Sequence, residues 1–113
     1  MSQVLEESSL DWQPVRPEVT HDIFGRTLLA EDVKVVLTRV APGGEFRMHR
    51  DKYGHLFYFL SGDGVVRVND QEFKAKPGLI VRVLPGEAHA YANAGSQDLV
   101  LLSLNLPDQS SLK

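Results

Sequence analysis

The stretch from Gly43 to Gly62, GGEFRMHRDKYGHLFYFLSG, decides the fold of this chain of 113 residues. Residues alternate in character from position 45 to position 50, and an aromatic-rich segment covers positions 55–60. Alternation and aromatic enrichment between turn residues are typical of β-strands. The stretch therefore predicts two short strands joined by a connection at Lys52-Tyr53-Gly54.

The same pattern extends in both directions from this stretch. Further strands are predicted at 33–40, 65–68, 71–75, 79–84, 88–92 and 99–104, separated by turn sequences rich in Gly, Pro and Asn. No stretch repeats apolar residues at the i, i+3, i+4 spacing over 11 or more residues, as a core helix requires. Short strands separated by such turns predict an all-β barrel or sandwich.

The length of the chain allows one domain, because two halves would each be too small to bury a core. Residues 1–30 have no sustained period and are interpreted as an N-terminal arm, partly strand. Residues 31–113 form the predicted barrel, with a frayed polar tail after residue 107. Trp12 is expected to pin the arm to an apolar surface, either of its own barrel or of a partner subunit, and His21 is interpreted as structural.

Composition narrows the range of functions. The net charge of −3 gives no basic field that would hold nucleic acid or an anionic membrane. No apolar run approaches the length of a membrane span, and the acidic N-terminus lacks the features of a secretory signal. The chain has no cysteine, so any metal must be held by imidazole and oxygen ligands. We expect a cytoplasmic protein that acts on a small molecule.

Three of the four histidines lie in the strand-rich part of the chain. His49 and Asp51 share a face if their strand continues, and His55 and His89 begin later strands. Inward residues of neighbouring strands meet in the single interior of a barrel. Spacing alone leaves two interpretations open: ordinary hydrogen-bonded histidines, or ligands of a divalent ion such as Fe, Mn, Ni, Cu, Co or Zn.

Two segments resemble the paired motifs of the cupin superfamily. The first motif, Gly-x5-His-x-His-x3or4-Glu-x6-Gly, is matched in register by Gly43, His49, Asp51, His55 and Gly62. The second, Gly-x5-Pro-x-Gly-x2-His-x3-Asn, is matched by Gly78, Gly86, His89 and Asn93, with Pro85 one place later than the motif's proline. The resemblance covers about residues 33 to 106.

The resemblance implies a double-stranded β-helix, the jelly-roll barrel of cupins, with a metal ion on His49, Asp51, His55 and His89. The chain is similar to small cupins of the four-histidine, manganese-type subgroup. Asp51 stands where the family usually has its second histidine, and His55 where it usually has glutamate. Asp51 is therefore either a metal ligand or a residue that does not touch the metal and orients one of its ligands.

Strand parity gives further candidates for the pocket. Arg47 would share the face of His49 and is a candidate to bind a substrate carboxylate, or else to pair with Glu45. Phe57 and Phe59 are expected in the apolar inner wall, and Tyr91 offers a hydroxyl near His89, although all three also suit simple packing. Asn93 is expected to make a backbone or turn contact, and Gly62, Gly78 and Gly86 to adopt positive φ.

These observations favour a metal-dependent enzyme of the dioxygenase or oxidoreductase type acting on a small organic molecule. His49, Asp51 and His89 are similar to the two-histidine, one-carboxylate set of non-haem iron oxygenases. The alternatives are a metal-dependent isomerase or lyase, which needs the same ligands, and a non-catalytic module that binds a small ligand. The arm also suits a homodimer, in which it would cover a sheet edge or a partner.

Overall fold

The computed structural model describes residues 2–107, and the tail predicted to fray beyond residue 107 lies outside this range. In the described part a short 3-10 helix, Glu7–Ser9, precedes nine β-strands. The strands are β1 (Gln13–Pro14), β2 (Thr20–Ala30), β3 (Lys34–His49), β4 (Gly54–Ser61), β5 (Gly64–Val68), β6 (Gln71–Ala75), β7 (Ile80–Val83), β8 (His89–Asn93) and β9 (Leu99–Leu106). Within residues 2–107 no helix has the length and apolar character needed to cross a membrane.

All nine strands belong to one curled sheet, with the order β6-β5-β8-β3-β9-β4-β7 and with β2 and β1 added beside β3. Every pairing in the sheet is antiparallel. The predicted all-β jelly-roll barrel is confirmed. Its interior holds the apolar side chains of the core, among which Phe59, Val66, Leu99 and Leu101 are fully buried. Burial of each such side chain contributes about 1.5–3 kcal/mol of hydrophobic stabilisation.

Strand β3 is longer than the sequence pattern indicates. The pattern separates 33–40 from 45–50 by Pro42-Gly43-Gly44, but the strand continues through this point for 16 residues. Its first half pairs with β9 and its second half with β8. Gly43 has φ +80, and a Cβ on Gly44 would lie 2.9 Å from the carbonyl oxygens of Ala41, Asp22 and His21. The glycines therefore let the strand bend from one neighbour to the other without ending.

The N-terminal segment lies on the barrel of its own chain. β1 pairs with β2, and β2 pairs along most of β3, so residues 20–30 are part of the sheet. The Trp12 ring lies between two guanidinium groups, with the Cζ atoms of Arg26 and Arg39 each 4.4 Å from the ring. Cation–π contacts with two arginines, rather than an apolar surface alone, therefore hold the arm in place.

Residues of the second motif make the turn contacts predicted for them. The Asn93 side-chain amide donates hydrogen bonds to the carbonyls of Val40 at 2.9 Å and Gln97 at 2.7 Å. The positive φ expected at Gly62, Gly78 and Gly86 is confirmed, with values of 92°, 92° and 84°. These residues therefore shape the turns between strands.

Gly62 and Gly78 provide a matched test of the packing around the turns, because they have the same φ. A Cβ on Gly62 would lie 2.5 Å from the carbonyl oxygen of Asp98, whereas a Cβ on Gly78 would have no atom within 4 Å. We expect Gly78→Ala to cost about 1 kcal/mol of stability, from the positive φ alone, and Gly62→Ala to cost at least about 2 kcal/mol more because backbone must move. Urea unfolding of both variants measures the difference. Equal losses would contradict the close approach at Gly62.

Candidate metal centre

The structure brings His49, Asp51, His55 and His89 together at one end of the barrel. His49 ends β3 and His89 begins β8, and the two residues are register partners. His55 lies in β4, and Asp51 lies in the connection between β3 and β4. One potential ligand atom from each residue lies within 4.8 Å of all the others. The side chains of all four residues are less than 10% exposed.

One oxygen of Asp51 faces all three imidazoles. Its Oδ2 lies 3.0 Å from Nε2 of His49, 2.8 Å from Nε2 of His55 and 3.6 Å from Nε2 of His89. The side chain therefore points into the histidine cluster, as a metal ligand would, although β3 ends two residues before it.

The turn of the second motif holds the Asp51 loop of the first. The Gly86 N–H donates to the Asp51 carbonyl at 2.8 Å, and the Arg50 guanidinium donates to the Gly86 carbonyl at 2.6 Å. Gly86 has positive φ, which directs its backbone groups toward this loop. Two segments that lie 35 residues apart in sequence are thus joined directly behind the candidate site.

The far nitrogen of each imidazole has an oxygen partner that fixes the tautomer. Nδ1 lies 2.7 Å from the Arg47 carbonyl in His49, 3.0 Å from the Glu87 carbonyl in His89 and 3.2 Å from Oδ1 of Asn105 in His55. Each Nδ1–H donates to its oxygen, so each Nε2 directs a lone pair inward. Nε2 of His89 is buried without any hydrogen-bond partner in the described part of the chain.

Four electron-pair donors therefore converge in a buried volume, and this donor set fits a divalent transition metal ion. Three imidazole nitrogens and one carboxylate oxygen suit a borderline ion such as Fe, Mn, Ni, Cu, Co or Zn. Two adjacent acceptors cannot satisfy each other, whereas an ion between them satisfies both. The unpartnered Nε2 of His89 is accounted for by such an ion.

Electrostatics keep the four groups in the forms that bind a metal. Burial lowers the pKa of His89 to about 4, and burial also lowers the pKa of His55 despite the opposing effect of Asp51. Burial alone would raise the pKa of Asp51, but the Arg16 guanidinium and the neighbouring His55 and His49 side chains outweigh it and hold that pKa below its usual range. At neutral pH His55 and His89 are neutral and Asp51 is ionised.

A small cavity of about 80 Å³ adjoins the imidazoles of His55 and His89. Phe57 and Tyr91 line it, as the sequence predicts, whereas Phe59 is packed in the core away from it. The rest of the lining combines apolar, hydroxyl and charged side chains: Val15, Arg16, Lys34, Val36, Thr38, Phe46, Tyr53, Ser103 and Asn105. The cavity therefore lies directly beside two of the four residues that could hold a metal ion.

Arg47 does not lie where strand parity places it. The pairing of β3 with β8 shifts between Phe46 and His49, which is the signature of a β-bulge. Phe46 instead shares the interior with His49, and their rings stack at 4.3 Å. Arg47 is exposed and lines a depression on the outer face together with Glu45. The expectation that Arg47 faces the pocket is therefore corrected.

Arg16 is a site residue that the sequence reasoning missed. Its Nη1 donates to Oδ1 of Asp51 at 3.0 Å, and it lines the cavity. The only local signal is its place between two prolines, Pro14 and Pro17, in a segment interpreted as an arm. Lys34, at the start of β3, brings a second cation to the cavity wall.

The depressed pKa values of the histidines predict how metal-free protein responds to acid. Between pH 4 and 6.5 the unfolded chain protonates His89 while the folded chain does not, so the free energy of unfolding falls as the pH is lowered through this window. Asp51 lowers the free energy of unfolding only when the pH falls below its ordinary pKa of 3.8. We expect His89→Gln to flatten the slope between pH 6.5 and 4, as followed by urea unfolding in the presence of a chelator. His21→Ala is the control, since His21 is exposed, and equal slopes in wild type and His89→Gln would contradict the burial effect.

Solved structures that are similar to this chain share its fold. A predicted oxalate decarboxylase from Thermotoga maritima superposes with a TM-score of 0.85 and 20% identity, over 93% of this chain and 99% of that chain. The polyketide cyclase RemF from Streptomyces resistomycificus gives 0.84 and 20%, over 93% and 79%. KdgF from Halomonas sp. gives 0.80 and 16%, over 98% and 99%. At these identities the likeness shows the fold and not the activity.

Comparison of the sequence with known families and curated proteins gives two results. No curated protein matches the chain significantly. Residues 36–105, well over half of the chain, match the Cupin_2 family, described as "Cupin domain". This region contains the four residues of the candidate metal centre and both motifs. The chain therefore belongs to the Cupin_2 family.

Proposed function

We propose that this chain is a metal-dependent enzyme of the dioxygenase or oxidoreductase type that acts on a small organic molecule. Its metal ion would be held by His49, Asp51, His55 and His89. The observation that carries the proposal is the buried, unpartnered Nε2 of His89, which points at the same place as two other Nε2 atoms and a carboxylate oxygen. Such a convergence of acceptors is costly unless a cation binds there.

Four protein ligands would leave about two positions of an octahedral ion open for dioxygen and substrate. A redox-active ion in such a site supplies the exchange of electrons between the substrate and dioxygen. Insertion of both oxygen atoms with cleavage of a carbon–carbon bond balances without a further reductant, because the substrate supplies the electrons. The protein's own residues bind and orient the substrate and exclude water.

The lining of the cavity supports a small, anionic substrate. Arg16 and Lys34 bring basic side chains to its wall, and Arg16 uses only one of its N–H groups on Asp51. Phe57 and Tyr91 add aromatic surface to the same lining. A carboxylate-bearing molecule of a few carbon atoms matches this combination.

Tyr91 is suited to packing and hydrogen bonding rather than to proton transfer. Its side chain is buried, and burial raises the pKa of its hydroxyl well above the usual value. A phenol of this kind stays protonated at physiological pH and can donate a hydrogen bond to a substrate in the cavity. We therefore assign Tyr91 to substrate orientation.

Two further expectations remain predictions, the homodimer and the cytoplasmic location. The sheet ends in the edge strands β6 and β7, where Phe73 is 41% and Ile80 is 61% exposed. Apolar residues on unpaired edges support association with a second copy of the chain.

Metal content tests the site directly. We expect wild-type protein to bind one equivalent of a divalent transition metal, and His89→Gln and Asp51→Asn to bind it at least about 100-fold more weakly, since each loses a ligand. Elemental analysis and competition with a chromophoric chelator measure both quantities. His21→Ala, outside the cluster, should match the wild type. Wild-type protein that takes up no stoichiometric ion after supplementation with each of the six metals would refute the metal site.

Reaction type is tested on metal-loaded protein with matched pairs of small substrates, each a diketone, catechol or alkene bearing either a carboxylate or its amide. We expect turnover of a carboxylate member with one dioxygen consumed per product, measured with an oxygen electrode and mass spectrometry. Lys34→Gln should raise KM for the carboxylate several-fold and leave the amide unaffected. Product formed without dioxygen would instead identify an isomerase or lyase, and tight binding without turnover a ligand-binding module.

A further inference from the structure

The candidate metal centre has a partner outside the region that matches the family. The match begins at residue 36, whereas Arg16 lies in the connection between β1 and β2. Its guanidinium reaches Asp51 across 35 residues of sequence. We propose that Arg16 is a positioning residue that fixes Asp51 as a ligand through one oxygen only. This proposal rests on the metal site proposed above.

The two oxygens of Asp51 have separate tasks in the structure. Oδ1 accepts the hydrogen bond from Nη1 of Arg16 at 3.0 Å. Oδ2 faces the three imidazole Nε2 atoms at 2.8–3.6 Å. With Oδ1 occupied, the carboxylate presents a single oxygen to an ion, and the second coordination position that a bidentate carboxylate would take stays available.

The backbone around Arg16 is held in a conformation that serves this contact. Arg16 has φ +39, although it is not glycine and although it precedes Pro17, and both features make this conformation unfavourable. The buried Thr20 hydroxyl binds the carbonyls of both Val15 and Arg16, and the Val19 N–H donates to the Arg16 carbonyl at 3.0 Å. Local strain that the surroundings enforce in this way is characteristic of functional positions.

Arg16 also supports a second ligand by stacking. Its guanidinium lies 5.7 Å from the centre of the Phe46 ring, and Phe46 stacks on the His49 imidazole at 4.3 Å. The contacts Arg16–Phe46–His49 therefore restrain the His49 ring by stacking. One arm residue thus contacts one ligand directly and restrains another through Phe46.

The Arg16–Asp51 pair also affects the charge of the candidate site. A neutral imidazole at position 51 would add no charge to the ligand set, whereas the Asp51 carboxylate adds one negative charge. The adjacent Arg16 guanidinium offsets that charge. Because Arg16 is 38% exposed, solvent screens its repulsion of an ion, and the geometric effect on Asp51 is the larger one.

Cobalt(II) titration of Arg16→Gln, Arg16→Lys and wild-type protein tests the inference, with affinity from chelator competition and coordination from the visible d–d spectrum. We expect Arg16→Gln to keep one cobalt per chain, to bind it about tenfold more weakly and to show an altered spectrum. Arg16→Lys, which keeps the charge but loses the planar fork, should recover only part of the affinity. Wild-type affinity and spectrum in Arg16→Gln would overturn the inference.

Two controls separate positioning of Asp51 from general docking of the arm and from charge. Trp12→Ala removes the cation–π contacts of the arm but none of the contacts of Arg16 itself, whose carbonyl is bound by Thr20 and Val19, so its cobalt spectrum should match the wild type. In an Asp51→Ala background, Arg16→Gln should weaken the affinity much less than it does in the wild type, since only the contact through Phe46 remains to be lost. A Trp12→Ala protein that reproduces Arg16→Gln, or a gain of affinity in the double variant, would overturn the inference. Failure of wild-type protein to bind cobalt would instead refute the metal site itself.

Discussion

The structure depends on one electrostatic constraint, the burial of four electron-pair donors that point at each other. Nε2 of three histidines and Oδ2 of Asp51 converge where each side chain is less than 10% exposed. An unpaired buried polar group costs about 1–3 kcal/mol, so a cluster of acceptors is destabilising unless a cation is shared among them. The hydrogen bonds on the far nitrogens reinforce this, because they place the protons on Nδ1. The arrangement is therefore suited to holding a divalent ion.

Strand pairing and turn hydrogen bonds between distant segments of the barrel hold the four side chains in this arrangement. Register pairing of β3 with β8 places His49 opposite His89, and the Gly86 turn binds the loop that holds Asp51. His55 enters from β4, on which β7 and β9 pack from both sides. Each ligand thus lies on or next to a strand that is fixed by long-range pairing. A site assembled in this way needs most of the sheet to be formed before the ligands meet.

The sequence predicts the repeated features of this architecture and misses the local irregularities. Glycine spacing and the two motifs are enough to indicate the barrel, the positive φ of Gly62, Gly78 and Gly86, and the four residues that meet. Strand parity fails at Arg47, because a bulge between Phe46 and His49 exchanges the inward and outward faces. A bulge depends on how two strands pair and leaves no mark in the alternation of one strand. The contact of Arg16 with Asp51 is not predicted for a similar reason, since it arises from tertiary packing and the arm has no regular pattern.

The pairing of Asp51 with Arg16 shows why the arm and the barrel must be considered as one unit. The family match covers residues 36–105, a range that includes the four residues that could hold a metal ion. A carboxylate among these ligands has a second oxygen and a charge that an imidazole lacks, and both need a partner. Arg16 supplies that partner, although it lies outside the region that matches the family. Trp12 helps to hold the arm to which Arg16 belongs. On this proposal, the properties of an ion at this site would depend on two regions of the chain, the barrel that provides the four candidate ligands and the arm that orients Asp51.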